Sequence, residues 1–382
     1  MKKLTNMNHN TLLFIAFLSL CQLTLTAQDT LNVSPAIETT AIETLAVDTL
    51  ETNIIINKTL SIMAVGDMMI GTDFPSTDYL SPDDGAEIFS AVQAQLSAAD
   101  LTFGNLEGVI LSGDYPTTKK CQNPKYCYAF KMPDRYVKHF KDAGFDLLSI
   151  ANNHINDFGT LGIENTARLL GEAGIQFAGV TDYPHTIFEV NGLTIGFCAF
   201  SPNRGTVKIN NLSQAKQIVS ELESKVDIVI VSFHGGGEGL DYQHINKETE
   251  YYLGENRGNP YQFARDMIDA GADVILGHGP HVTRAIDIYK NKFIAYSLGN
   301  FSTYGRFNLQ GQKGISPMIK INVDEDGNFL DGEIISVKLI GGGIPVVDSK
   351  KQALSTIESL MASDLEDCGL VLKADGSISL KE

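Results

Sequence analysis

Tryptophan is absent from the 382 residues, so neither a Trp stacking platform nor a Trp hot spot is available. Cysteine is scarce. Five in a chain this long are too few for a disulfide-built scaffold. Cys121 and Cys127 are close together in CQNPKYC, a loop rich in turn residues. In an oxidising compartment they are expected to form a small structural disulfide; the alternative, a metal pair, lacks matching ligands nearby. Cys198 falls in an apolar run and is expected in the core, whereas Cys368 has no reading. Positive charge is also short, with 29 Lys and Arg against 46 Asp and Glu and a net charge of −17. Nucleic acid is thereby excluded as a partner, because phosphate binding needs a basic footprint. Passive capture of a polyanion is disfavoured unless a local basic patch or bound cations intervene.

What is present begins with a hydrophobic content of 43%, enough for a substantial core, and 35 Gly, which imply many tight turns and close backbone approaches. Lys2 and Lys3 precede an apolar run, Leu12–Leu23, that is shorter than the roughly 20 residues a membrane span needs. With Ala27 as a cleavage position, residues 1–27 read as a secretory signal peptide. Leu25 is larger than the small residue usual before such a cut. Cys21 raises a lipoprotein alternative for which Leu20 is a poor fit. Residues 28–57 are rich in Thr, Glu and Ala, contain the period-five repeat AIETT, AIETL, AVDTL, and have no aromatic residue and no Gly. They read as a flexible tether. A globular domain is expected over 58–345, followed by a C-terminal helical extension over 346–382.

Within that domain, short apolar runs alternate with amphipathic periods. Leu60–Val65, Leu101–Gly108, Phe145–Ile150, Val226–Phe233 and Ala272–Gly277 read as buried strands. Gly85–Asp100, Pro133–Gly144, Leu161–Gly174, Leu212–Lys225 and Pro260–Gly271 read as helices. Thr186–Phe200 reads as a hairpin about Asn191-Gly192. Ala285–Phe301 reads as two strands and then a polar turn with Asn300. Strands at Ser316–Val323 and Gly332–Leu339 precede a helix within Lys350–Asp364 in this reading. The fold class is α/β.

Polar residues collect where the apolar runs stop: Asp67, Glu107, Asn153 with His154, His234, and His278 with His281, with Asn105 two residues before Glu107 as a supporting or substrate-binding candidate. In α/β folds sites form at such strand ends. Each residue alone is more often a cap, a turn former or a satisfied core group. As a set, two acids, an amide and three imidazoles suit one or two divalent ions, Mn, Fe, Zn or Mg, rather than a Cys-based structural zinc. His154 is then left as a general acid or oxyanion stabiliser. Asp157 is expected chiefly as a cap for the following helix. Glu238 is a candidate to orient His234 or a loop acid, and Arg284 and Arg204 are candidates to bind a substrate carboxylate or phosphate. His139, His185 and His244 keep ordinary structural readings.

GDMMIG, NLEG, ANNHINDFG, HGGGEG, GHGPHV and YSLGNF occur in that order between about Thr59 and Leu339. The set resembles the CapA proteins of poly-γ-glutamate capsule synthesis, a branch of the calcineurin-like metallophosphoesterase superfamily. The resemblance implies a four-layer α-β-β-α metallophosphatase-like sandwich. It matches Asp67 to the first-motif Asp and places Glu107 where the superfamily has a bridging Asp. Asn153 matches the metal-binding Asn, His154 the His beside it that assists the leaving group, His234 the isolated metal His, and His281 the last His. The pattern departs at Met69, Gly279 and Gly235, where His, His and Trp are usual. His278 is the candidate substitute for the His absent at 279. The losses imply a weakened metal position.

Three functions follow as expectations. One is an exported protein of capsule biogenesis acting on an anionic polymer, with membrane-bound synthesis machinery as a candidate partner. Another is a periplasmic metal-dependent hydrolase of phosphoester or amide bonds in a small-molecule substrate. The third is a non-catalytic binding module on the same fold.

Overall fold

The Thr59–Met69 strand is apolar because both of its faces are covered. Side chains alternate across a strand. Leu60, Ile62 and Ala64 therefore enter one hydrophobic cluster, while Met63 and Val65 enter another. The computed structural model describes residues 58–120 and 128–381. The expected leader, the tether and the Cys121–Cys127 pair lie outside the described residues.

A ten-stranded sheet surrounds this strand. Thr59–Met69 pairs in parallel with Leu101–Leu106 and Asn300–Thr303 and antiparallel with Ile315–Asp324. Leu147–Ser149 and Gln176–Ala178 continue the parallel side. A second, six-stranded sheet runs in the order Ile286–Tyr289, Lys292–Ala295, Val274–His278, Ile228–His234, Leu193–Phe200, His185–Val190. Its four central strands are parallel. The two sheets face each other, with the rings of Phe103 and Phe197 5.7 Å apart across the gap. Helices Val137–Ala143 and Gly159–Glu172 cover the outer face of the first sheet through Phe140, Ile163 and Leu170. Helices Leu212–Glu223 and Pro260–Asp269 cover the second through Ala215, Val219, Phe263 and Met267. This is the expected four-layer α-β-β-α order. Cys198 is a buried free thiol in the core, as its surroundings in sequence suggest.

Three expectations are corrected. Gly85–Asp100 is not one helix: 3-10 turns at Pro82–Gly85 and Ser90–Val92 lead to a single α-turn at Gln93–Leu96. Phe89, Val92 and Leu96 are nonetheless buried. Apolar residues three and four apart satisfy 3-10 turns as well as an α-helix. Asn300 opens a strand rather than occupying a turn. The C-terminal segment is not a helical extension. Its helix Gln352–Asp364 buries Ile357 and Leu360, and Ser377–Leu380 pairs with Phe329–Ile340, so that it and Leu370–Leu372 enlarge the first sheet.

Candidate functional site

The parallel strands deliver their C-terminal ends to one edge of the sandwich. Asp67 lies opposite both Asn105 and Asn300 in register, and His234 lies opposite His278. The pairing of the first strand slips on both sides at Asp67, a local irregularity of the kind that re-aims a side chain. Gly66 makes the approach possible: a Cβ there would sit 2.0 Å from the Gly299 carbonyl oxygen. The Asp67 amide donates to that oxygen at 2.8 Å.

Asp67, Glu107 and His281 form a group whose ligand atoms lie within 4.8 Å of one another. Asp67 Oδ2 is 2.9 Å from His281 Nδ1, and Asp67 Oδ1 accepts from Asn105 Nδ2 at 2.8 Å. His281 Nε2 is 3.5 Å from Glu107 Oε1. His281 has a φ of 56°, a left-handed conformation that is uncommon for a non-glycine residue and gathers at functional sites. Asn300 Oδ1 approaches the same His281 Nδ1 at 3.0 Å.

Protonation follows from this geometry. Burial works to raise the Asp67 carboxyl, but the His281 hydrogen bond and the imidazole charges outweigh it and bring it down to about 2. Burial dominates at Glu107 and, against the pull of His281, pushes it up to about 8. At His281 burial is overcome by Glu107 and Asp67, which raise it to about 10. His234 is held well below its ordinary value by burial and is a neutral imidazole.

The donor set fits a divalent cation. Both Glu107 oxygens, Asn153 Oδ1 and His234 Nε2 are buried without a hydrogen-bond partner among the described residues. Unsatisfied buried polar atoms are costly, and these four belong to carboxylate, amide and imidazole groups that bind hard and borderline metals. Loading a cation must displace the protons on Glu107 and His281. Cation affinity is therefore expected to rise at least about tenfold between pH 6 and pH 7, measurable by competition with a coloured chelator. A pH-independent affinity would contradict the assignment.

His154 lies beside this group, its Nε2 3.8 Å from Glu107 Oε1. Its Nδ1 is 2.7 Å from Asp157 Oδ2, and the Lys119 ammonium pairs with Asp157 Oδ1 at 3.1 Å. The Asp157 carboxylate favours the proton on Nδ1, against the Lys119 ammonium 3.2 Å from the same nitrogen, and leaves Nε2 toward the cluster. Burial lowers the affinity of His154 for a proton while the Asp157 charge opposes that. The Phe130 ring lies 4.2 Å from the His154 ring and stacks on Phe307, which in turn lies 5.5 Å from the His281 ring.

Several expected residues stand elsewhere. His278 does not join the cluster: its ring lies between the sheets against Phe103, with Nε2 3.2 Å from the Val65 carbonyl and Nδ1 3.5 Å from Ser232 Oγ. It cannot replace the His absent at 279. Arg284 is not free for substrate, because it forms a buried bidentate pair with Glu250 at 2.9 and 2.7 Å. Glu238 does not orient His234 but faces Arg257 Nη1 at 3.3 Å. Asp157 does not cap the Gly159–Glu172 helix, whose N-cap Phe158 makes no side-chain bond; it receives the Phe130 amide at 2.9 Å and holds His154. Lys119, Phe130 and Arg257 stand in no sequence motif, and Asn300 reads from the sequence only as a turn residue. Asn300 is within YSLGNF, but neither its spacing nor that of the others marks a site residue.

Gly279 explains one departure from the motif. Its φ is +117°, and a Cβ would lie 2.6 Å from the Gly235 carbonyl oxygen. Gly279→His is expected to destabilise the fold by about 2–5 kcal/mol through strain and overpacking and to add no metal. Denaturant unfolding with elemental analysis checks this; a stable variant with an additional ion would refute it.

A two-sheet sandwich with acids, amides and imidazoles at its parallel strand ends defines the class, and the family follows from sequence. Residues 61–304 match the model of the bacterial capsule synthesis protein family PGA_cap; the chain belongs to that family. It is 32% identical over 235 residues to the capsule biosynthesis protein CapA of Bacillus anthracis, covering 56% of this chain and 53% of the relative. It is 32% identical over 229 residues to the PGA biosynthesis protein CapA of Bacillus subtilis strain 168, covering 53% and 57%. The chain thus spans about half the length of the relatives it matches. Among solved structures, a provisional 5′-nucleotidase of Staphylococcus aureus aligns with a TM-score of 0.46 at 15% identity, over 80% of this chain and 58% of that one. Among the described residues no helix is long and apolar enough to cross a membrane.

Proposed function

We propose that the protein is an exported, divalent-cation-dependent member of its family that acts on the γ-glutamyl bonds of an anionic capsule polymer. The observation carrying this is the set of unpartnered buried ligand atoms on Glu107, Asn153 and His234, beside the Asp67–His281 pair. A bound Mn, Fe, Zn or Mg ion would polarise the scissile carbonyl and lower the pKa of water. Asp67, Glu107, Asn153, His234 and His281 are the residues that would hold it. Asn105 fixes Asp67 by donating to Oδ1, and Asp157 fixes His154 so that Nε2 can carry a proton to or from the reacting group. The His154–Asp157 pair favours bond cleavage or transfer over passive binding, which needs no oriented proton carrier.

The net charge of −17 would repel such a polymer, so a bound cation has to offset it, and the basic side chains at the mouth of the site are matched there by Glu238 and Glu255. Lys119 and Arg257 line it, and the Arg306 guanidinium lies 5.0 Å from the ring of Tyr128, which lines it too. The leader read in residues 1–27 supports export.

Metal analysis is the deciding experiment. Protein purified without chelator is expected to hold about one or two ions per chain, and Asp67→Asn with His281→Ala to hold none. Wild-type protein that stays metal-free after incubation with Mn, Zn, Fe and Mg would end the proposal.

A further inference from the structure

Arg257 is the basic residue whose surroundings the function above does not explain. Its side chain is 3% exposed, with Nη1 3.3 Å from Glu238 Oε1 and 3.8 Å from Glu255 Oε2. Nε and Nη2 are buried and have no hydrogen-bond partner among the described residues. On a guanidinium, the Nε–H and the neighbouring Nη2–H point the same way as a parallel pair. That edge is the fork that takes two oxygens of one carboxylate or phosphate. Ion pairing thus occupies the other nitrogen and leaves the bidentate edge unpaired. Buried donors without acceptors are costly, so their retention calls for a ligand.

The place is specific. Arg257 lines a cavity of about 270 Å³ together with Lys119, Asn153, His154 and Glu238. Asn153 and His154 belong to the candidate centre, so a group held by Arg257 belongs to a molecule that also reaches the cation ligands. Glu238 is the nearer of two carboxylates, with Glu255, that the chain itself places at this guanidinium. It follows the Gly235–Gly237 run and keeps 22% side-chain exposure, leaving it a path toward solvent. Contacts at 3.3 Å and 3.8 Å on one nitrogen are weak competition for an incoming anion that engages two others.

We propose that the Nε–Nη2 edge of Arg257 is the receptor for an anionic oxygen group of the substrate, with Lys119 as the second positive charge. Resting on the γ-glutamyl reading, that group is the free α-carboxylate of a γ-linked glutamate unit next to the bond presented to His154. Arg257 then selects an anionic polymer over a neutral one. A phosphate could present the same paired oxygens, so the test separates the two sources.

Calorimetric titration of the full, Mn-loaded chain decides the matter. The probes are γ-linked triglutamate, its α-methyl ester and inorganic phosphate. Wild type is expected to bind triglutamate, and Arg257→Ala to bind it at least about thirtyfold more weakly with unchanged metal content. Arg257→Lys keeps the charge without the fork and is expected to remain at least about tenfold weaker. The methyl ester should bind both forms equally poorly, and Glu238→Gln should tighten triglutamate severalfold. If Arg257→Ala fails to fold, Arg257→Lys carries the comparison alone. Equal triglutamate affinity in wild type and both Arg257 variants would overturn the inference and leave the γ-glutamyl reading intact. Arg257-dependent phosphate binding without triglutamate binding would support the receptor and overturn the γ-glutamyl reading. Failure of wild type to bind either anion would overturn both.

Discussion

His154→Ala is expected to lower turnover of a γ-glutamyl oligomer by about 10²–10⁴-fold, the usual worth of a positioned general acid or base, while the metal content stays that of wild type. The imidazole contributes Nε2 toward Glu107 at 3.8 Å and is not among the atoms that form the Asp67–Glu107–His281 group. Asp157→Asn should also be strongly impaired, for a different reason. Asp157 accepts from Nδ1 at 2.7 Å and from the Phe130 amide at 2.9 Å. Both bonds end on Oδ2, so an Asn with its carbonyl there turns its NH2 group toward the Lys119 ammonium, one with its amide there loses the Phe130 bond, and neither keeps the carboxylate charge. The imidazole would lose the charge that holds its proton on Nδ1. Single-turnover rates with elemental analysis of both variants provide the check. Turnover within twofold of wild type in either, with metal retained, would remove His154 from the chemistry or Asp157 from its control.

Glu250→Ala is expected to destabilise the domain by about 3–5 kcal/mol, because it strands a buried guanidinium. Arg284 and Glu250 are both almost fully buried and joined by two hydrogen bonds. Glu250 Oε2 also receives the Gly237 amide at 2.7 Å, and its backbone exchanges bonds with Arg257 and Gly258. The pair therefore anchors the neck of the Tyr251–Asn256 hairpin to the loop that follows His234. Replacing both partners, as in Glu250→Leu with Arg284→Met, should cost much less than either single change, since a buried pair gives back its desolvation energy when both charges leave. Urea unfolding of the two single variants and the double variant measures this as a cycle. Additive losses would show that the charges are not coupled.

How far the sequence alone carries can be judged from these same residues. Continuous apolar runs marked the strands because a strand covered on both faces must be apolar throughout, and Leu60–Val65 is so covered. Polar residues immediately after such runs marked Asp67, Glu107, Asn153, His154, His234 and His281. Burial of the strand leaves its end as the first place where a polar group can serve, and the structure brings all six to one edge. Family membership was legible for the same reason: motif order along the chain follows the order of the strands that present the site.

Direction and partnership were not legible. His278 and His281 are three residues apart in one motif, yet one ring turns between the sheets to Val65 and the other turns to Asp67. The difference lies in the backbone at Gly279 and in the left-handed conformation of His281, neither of which residue type discloses. Arg284 and Arg257 are both arginines beside glycine-rich or turn-rich segments. Only the fold places a carboxylate across the two Nη nitrogens of one and leaves the Nε–Nη2 fork of the other unpaired. The sequence by itself determined which strands are buried and what chemistry stands at their ends, because burial and ligand type are properties of residues. Tertiary structure alone decided which side chains share a cavity and which are spent on one another, because that depends on distances between segments more than a hundred positions apart, as between Asp67 and His281.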